Sequence, residues 1–143
     1  MLVVLVLGVL AGFAIPSFSG TYRKLQLKKS ADDLSFIMHY AQSRAITANL
    51  DLRLEFDPQF SSYWLLEKKN GEEPSDAYQR LKTRFGKVFR IPAEITVSSE
   101  DGVIDFFPDG TIEKQEVKFC QKDRCYIVSS KEQRGFVHVF EAP

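Results

Sequence analysis

The side chains in this chain that could support chemistry are two cysteines, two histidines and two pairs of adjacent carboxylates. Cys120 and Cys125 are separated by four residues, a spacing that permits a small-loop disulfide. A zinc site would need further ligands, but His39 and His138 lie far from the cysteines in sequence. We therefore favour a disulfide between the cysteines, and a disulfide indicates an oxidising compartment.

The carboxylate pairs are Asp32-Asp33 and Glu72-Glu73. Adjacent residues of a helix point in different directions, and glutamates of a polar loop are usually solvated. The sequence contains no glycine-rich phosphate loop, no metal-spaced His/Glu set, and no serine or cysteine with a suitable base. It therefore predicts neither an enzyme nor a cofactor or metal site.

One segment carries a local positive charge that could contact DNA or a protein partner. Its cations are Arg80, Lys82, Arg84, Lys87 and Arg90. If the chain is extended from Arg80 to Phe85, the first three cations share one face that could follow a phosphate backbone. The alternative is a solvated basic surface balanced by Glu72, Glu73 and Asp76. We favour this alternative, because the chain has 19 basic and 19 acidic residues and no net charge.

The elements that must position these residues begin with an N-terminal segment of unusual apolarity, in which no charged side chain precedes Arg23. The residues of this run that we assign to a membrane or filament helix are Val3, Val4, Leu5, Val6, Leu7, Gly8, Val9, Leu10, Phe13, Ile15 and Pro16. Four interpretations are open: a cleaved signal peptide, a transmembrane anchor, a buried core helix and the helix of a filament subunit. The signal peptide lacks a basic start and a good cleavage context, and a terminal core helix would seldom lack a polar face.

From Arg23 to Leu50 the pattern changes to that of an amphipathic helix. Its apolar residues recur every three or four positions: Leu27, Ala31, Leu34, Ile37, Met38, Ala41, Ala45 and Ala48. Asn49 is a plausible C-terminal cap. We therefore divide the chain into an apolar half-helix, residues 1–22, and a globular domain, residues 23–143.

Residues 51–143 predict a β-rich region of short strands. The predicted strands are 52–57, 63–66, 88–92, 95–97, 103–107, 117–120, 125–128 and 136–140, with a turn at 108–110 and a hairpin closed by the cysteine pair. One long helix followed by short strands predicts an α+β fold, with an antiparallel sheet packed on the amphipathic half of the helix.

The N-terminal run resembles the first helix of type IV pilins and type II secretion pseudopilins. The match extends through Gly8 to Ile15-Pro16 and into the amphipathic continuation. In that family a phenylalanine and a glutamate stand upstream of this run, after a basic leader that a prepilin peptidase removes before N-methylation. A start upstream of Met1, a trimmed sequence and a lost processing site are all open, and an upstream start would bring the run to full spanning length.

Within that group, the chain is similar to the GspH/FimT family of minor pseudopilins. Three segments carry the resemblance: 41–49, 104–110 and 127–137. The family usually reads glycine then arginine before its last strand, whereas this chain has Arg134-Gly135.

The resemblance implies a minor subunit of a type II secretion or type IV pilus machine. Its implied partners are other pilin-like subunits, inner-membrane assembly machinery and, before assembly, membrane lipid. The implied location is the bacterial inner membrane, with the globular domain in the periplasm. A FimT-like DNA-binding pilin and an unrelated single-pass periplasmic protein remain alternatives, so nucleic acid is a less favoured partner.

Overall fold

The protein is built on one continuous helix, α1, which runs from Leu2 to Ala48. In this computed structural model the described residues are 1–68, 78–132 and 135–143, with the backbone alone described at 12–18. The 47 residues of α1 span roughly 70 Å at a rise of 1.5 Å per residue. The helix passes through Pro16 without a break. The predicted apolar and amphipathic halves therefore form a single rod.

The amphipathic half of α1 packs on the domain through the predicted stripe. Leu27 is the first buried residue of this half, Ala48 is half-buried, and the other predicted stripe residues are all buried. Asn49 ends the helix in the left-handed conformation (φ 52°), and its N–H donates to the carbonyl of Ala45. Asparagine tolerates this conformation, so the predicted cap is confirmed.

The first sheet begins a few residues after the helix and is antiparallel throughout. Its path is β3 (Tyr78–Arg80), β2 (Ser62–Lys68), β1 (Leu52–Phe56) and β6 (Val103–Phe106), and β4 (Phe89–Arg90) pairs with β2. Leu54 lies opposite both Leu65 and Ile104, and all three are buried. Alternation along β1 places its apolar residues on the core face, as the sequence predicts.

A second sheet, also antiparallel, has the order β5 (Thr96–Ser99), β7 (Glu116–Gln121), β8 (Arg124–Ser129) and β9 (His138–Glu141). Strands of both sheets contact α1, which therefore forms the spine of one shared core. The α+β class is confirmed, but the described strands form two sheets where the sequence predicted one. Alternation identifies strands without specifying their partners.

Most predicted strands are found within one or two residues of their positions. The prediction for 88–92 was too long, because β4 contains only Phe89 and Arg90. The last predicted strand began too early, since β9 starts at His138. The predicted turn is confirmed: the N–H of Gly110 donates to Phe107 at 3.0 Å, and Gly110 adopts a φ of 88° that favours glycine.

Candidate interaction surfaces

The N-terminal part of α1 presents an apolar surface that none of the described residues covers. Leu2, Val3, Val4, Leu5, Val6, Leu7, Val9 and Leu10 are all exposed. A Cβ added to Gly8 would meet no atom within 4 Å. Phe13, Ile15 and Pro16 belong to the same helix, but their side chains are outside the described part of the chain. Within the described residues, no helix combines the length and apolarity that a membrane crossing requires.

The cysteines lie opposite each other on neighbouring strands. Cys120 of β7 pairs with Cys125 of β8, and a disulfide joins them with a Cα–Cα distance of 4.1 Å. Lys122 and Asp123 form the two-residue connection between the strands, and Lys122 has a φ of 54°. The structure thus contains the hairpin closed by a disulfide that the sequence predicted.

The five cations of the possible contact surface are all exposed, as the favoured solvated alternative requires, but they do not form one extended stripe. Strand β3 ends at Arg80, and a 3₁₀ turn occupies Arg84–Gly86. The condition for a shared face on an extended chain is therefore not met. The guanidinium of Arg80 lies 5.5 Å from the ring centre of Trp64, that of Arg84 lies 4.9 Å from Phe85, and Lys87 lies 5.4 Å from Phe89.

The 3₁₀ turn is held against α1 by aromatic packing. The ring of Phe85 lies 4.2 Å from that of Tyr40 and 6.0 Å from that of Phe36. The hydroxyls of Tyr40 and Thr83 are hydrogen-bonded at 3.2 Å, and the Thr83 hydroxyl also accepts from the Phe85 N–H. Gly86 packs against residue 81 so closely that an added Cβ would collide with its carbonyl. The basic segment is therefore a fixed loop, and its cations project from it into solvent.

A bidentate ion pair joins β1 to β6, the last two strands on the path of the first sheet. Arg53 donates from Nε and Nη2 to the two carboxylate oxygens of Asp105 at 2.7 and 3.1 Å. The hydrogen bond to Asp105 raises the pKa of the Arg53 guanidinium, with burial acting in the opposite direction. The guanidinium also lies 4.2 Å from the ring centre of Tyr78. The pair links directly opposite positions of the two strands and so supports their register.

Gln42 is a structural contact that the sequence did not predict. The pattern placed it on the polar face of α1, yet it is half-buried and donates two hydrogen bonds from Nε2. Their acceptors, the carbonyls of Gly110 and Gly135, lie in loops distant in sequence. The only sign of this contact in the sequence was that Gln42, a polar residue, lies inside the resemblance segment 41–49.

Those of the remaining candidates that the structure describes do not assemble into a reactive site. Asp33 is exposed and pairs with Lys29 at 3.0 Å one helical turn away. His39 and His138 are both exposed, and the imidazole of His138 stacks on Phe136. Across the described ranges no cluster of three His, Cys, Asp or Glu side chains could hold a metal. The acids expected to balance the basic segment (Glu72, Glu73 and Asp76) and Arg134 of the resemblance motif lie outside the described residues.

The fold is similar to that of solved minor pilins and pseudopilins. The minor pseudopilin EpsH from the type 2 secretion system of Vibrio cholerae matches with a TM-score of 0.69 and 13% identity, covering 80% of this chain and 96% of that one. The Pseudomonas aeruginosa type IV minor pilin FimU matches with a TM-score of 0.62 and 15% identity, covering 82% and 90%. At these identities the likeness establishes the fold alone. No curated protein sequence matches the chain.

Family assignment comes from the sequence itself. Residues 30–132 match the family described as "Type II transport protein GspH". This range covers most of the chain. It begins in the packed half of α1 and ends just after β8. The chain therefore belongs to the GspH family.

Proposed function

We propose that this chain is a minor pilin-like subunit that works by packing its helix among the helices of a filament. The observation that carries the proposal is α1 itself: one unbroken helix with an exposed apolar half and a half buried in the domain. An apolar surface of this extent needs a partner, and lipid tails or the equally apolar helices of other subunits both provide one. The role requires no catalytic group.

The proposed cycle has two stages. Before assembly, the apolar half of α1 is held in the inner membrane and the domain lies in the periplasm, where the disulfide between Cys120 and Cys125 is stable. During assembly, the helix leaves lipid and packs against neighbouring subunits, so its apolar surface remains covered throughout. The domain surfaces then contact other pilin-like subunits of a secretion or pilus machine.

The proposal is tested by placing a charge on the apolar half. The substitution Val9→Arg should raise the free energy of membrane insertion by about 2.5–3.5 kcal/mol. We expect the variant to leave the membrane fraction of cells and to stop co-purifying with pilin-like subunits. Ser43→Arg is the matched control, because Ser43 is exposed on the half of α1 that packs on the domain. Membrane retention and co-assembly of the Val9→Arg variant at control levels would refute the proposal.

The family match removes the alternative of an unrelated periplasmic protein. A FimT-like DNA-binding pilin remains the second candidate, and the exposed cations near Trp64, Phe85 and Phe89 favour it. The test is a salt titration of double-stranded DNA binding by the full chain in neutral detergent. A DNA-binding subunit should bind in a salt-sensitive manner and lose binding in Lys82→Glu/Arg84→Glu. Lys114→Glu/Lys118→Glu controls for net charge, and no binding at low salt would leave the filament role alone.

A further inference from the structure

A second positive surface, separate from the basic segment at Arg80–Arg90, lies where the domain meets the apolar half of α1. The helix and the tip of the β7–β8 hairpin enclose a cleft of about 640 Å³ between them. The cleft is lined by Gly20, Thr21, Arg23, Lys24, Leu27, Gln121, Lys122, Asp123 and Arg124. We call Arg23, Lys24, Lys122 and Arg124, the four cations of this lining, the basic collar.

The charges of the basic collar are available to a partner. All four side chains are exposed, and none forms an ion pair within the described ranges 1–68, 78–132 and 135–143. Asp123 is the one acid that lines the cleft, and Glu94 lines a smaller adjoining cleft of about 360 Å³. The surface therefore carries an excess of positive charge and fits an anionic partner.

The position of the collar indicates which anionic partner it meets. No charged side chain precedes Arg23, so the collar begins where the uncharged part of the helix ends. Tyr22 stands at this boundary and is 67% exposed. Aromatic rings of this kind favour the headgroup level of a bilayer, and basic side chains just outside the apolar segment favour anionic lipid.

The hairpin tip presents its charge rigidly. Lys122 holds a φ of 54°, a conformation that costs a lysine roughly 1 kcal/mol and that asparagine or glycine would adopt more easily. The disulfide between Cys120 and Cys125 closes the hairpin directly behind it. A strained residue held in place by its surroundings often marks a functional position.

We propose that the basic collar binds the phosphates of anionic lipid headgroups at the membrane surface and thereby sets the domain against the bilayer before assembly. This inference rests on the proposed membrane-held state of the apolar half-helix. The protein would then contact the membrane twice, through the apolar half of α1 and through the β7–β8 hairpin.

The experiment measures amide hydrogen exchange of residues 121–125 in the full chain, reconstituted into lipid nanodiscs. One set of discs contains phosphatidylcholine alone, and the other contains about one-third phosphatidylglycerol. We expect exchange at the hairpin tip to slow at least about fivefold in the anionic discs. This is the factor by which the attraction of one basic side chain to an anionic surface changes a binding equilibrium. High salt should abolish the difference, because the contact is electrostatic.

The test variant is Lys24→Gln/Lys122→Asn/Arg124→Gln, in which asparagine suits the backbone conformation at 122 and preserves the hairpin. It should lose the lipid-dependent slowing. The control variant Lys82→Gln/Lys87→Gln/Arg90→Gln removes the same amount of charge from another surface. It should retain the lipid-dependent slowing. That loop packs on α1 at Phe36, about 18 Å further along the helix than Lys24, which is beyond the screening length of physiological salt.

Four outcomes would overturn the inference. Equal exchange in the two kinds of disc, or slowing that survives in the test variant, would show that the collar makes no lipid contact. Inorganic phosphate that slows exchange equally in neutral discs would identify a site for free phosphate. Failure of the wild-type chain to remain in any disc would refute the membrane-held state itself, and is distinguishable because incorporation is measured first.

Discussion

The side-chain amide nitrogen of Gln42 lies 2.7 Å from the carbonyl oxygen of Gly110 and donates a hydrogen bond to it. The same nitrogen donates to the carbonyl of Gly135, also at 2.7 Å. These acceptors are 68 and 93 residues away in sequence. One side chain on α1 therefore holds both the turn that follows β6 and the approach to β9, and so ties the helix to both sheets.

Replacing Gln42 with alanine should lower the free energy of unfolding by about 1–3 kcal/mol, because two half-buried carbonyls lose their donor. The measurement is urea unfolding of the full chain in neutral detergent, followed by the fluorescence of Trp64, the single tryptophan. Ser43→Ala, at the exposed neighbouring position, should leave the midpoint unchanged. Equal midpoints for both variants would show that the two hydrogen bonds contribute nothing.

Gly135 is the second side of this junction and should not tolerate a side chain. Its φ is 80°, and an added Cβ would lie 2.9 Å from the carbonyl oxygen of Gly110 and 3.2 Å from Nε2 of Gln42. We expect Gly135→Ala to destabilise the domain by at least about 1 kcal/mol, since strain and displacement of the bonded amide add together. Gly8→Ala is the control, because a Cβ there meets no atom. A domain as stable as wild type after Gly135→Ala would contradict this geometry.

The same junction shows how far the sequence could lead. Local patterns identified α1, its buried stripe, the cap at Asn49 and the turn at Gly110, because each depends on residues within a few positions. The contact of Gln42 was not predictable from periodicity, which placed it on the polar face and carries no information about loops far away in sequence. The three resemblance segments do meet here: Gln42 lies in the first, Gly110 in the second and Gly135 in the third.

The condition for a shared basic face on the segment from Arg80 to Phe85, an extended chain, is not met for a related physical reason. Charge spacing gives a shared face only on a regular strand, and the sequence contained no strong indication that a 3₁₀ turn would interrupt it. That turn depends on tertiary contacts: the close approach of Gly86 to the backbone of Leu81 and the packing of Phe85 on Tyr40. The division into two sheets was likewise hidden, since strand partners are selected by packing on α1.

Removing the disulfide should have a modest effect on stability and keep the fold. The loop between Cys120 and Cys125 is short, so the chain-entropy estimate of its contribution is about 2 kcal/mol. We expect the double variant Cys120→Ser/Cys125→Ser to unfold at lower urea, and reduction of the wild-type chain to produce the same shift. The double variant itself is the control, since its midpoint should not respond to reductant. Unchanged stability of the reduced wild type would mean that strand pairing alone holds the hairpin.

Tyr63 should make the domain sensitive to alkaline pH. Burial raises the pKa of the Tyr63 hydroxyl well above its ordinary value, with the nearby charge of Asp33 adding to the effect. A raised folded-state pKa contributes stability that is complete below the unfolded value near pH 10 and is lost as pH rises above it, by up to about 1.4 kcal/mol per pH unit.

In Tyr63→Phe the ring contacts with Phe56 and Phe89 can remain while the titrating group is gone. Unfolding free energies measured from pH 8 to about pH 11 should therefore fall less steeply in this variant. Tyr22→Phe, at an exposed position of α1, should follow the wild-type curve, and a wild-type slope in Tyr63→Phe would assign the alkaline loss to other groups.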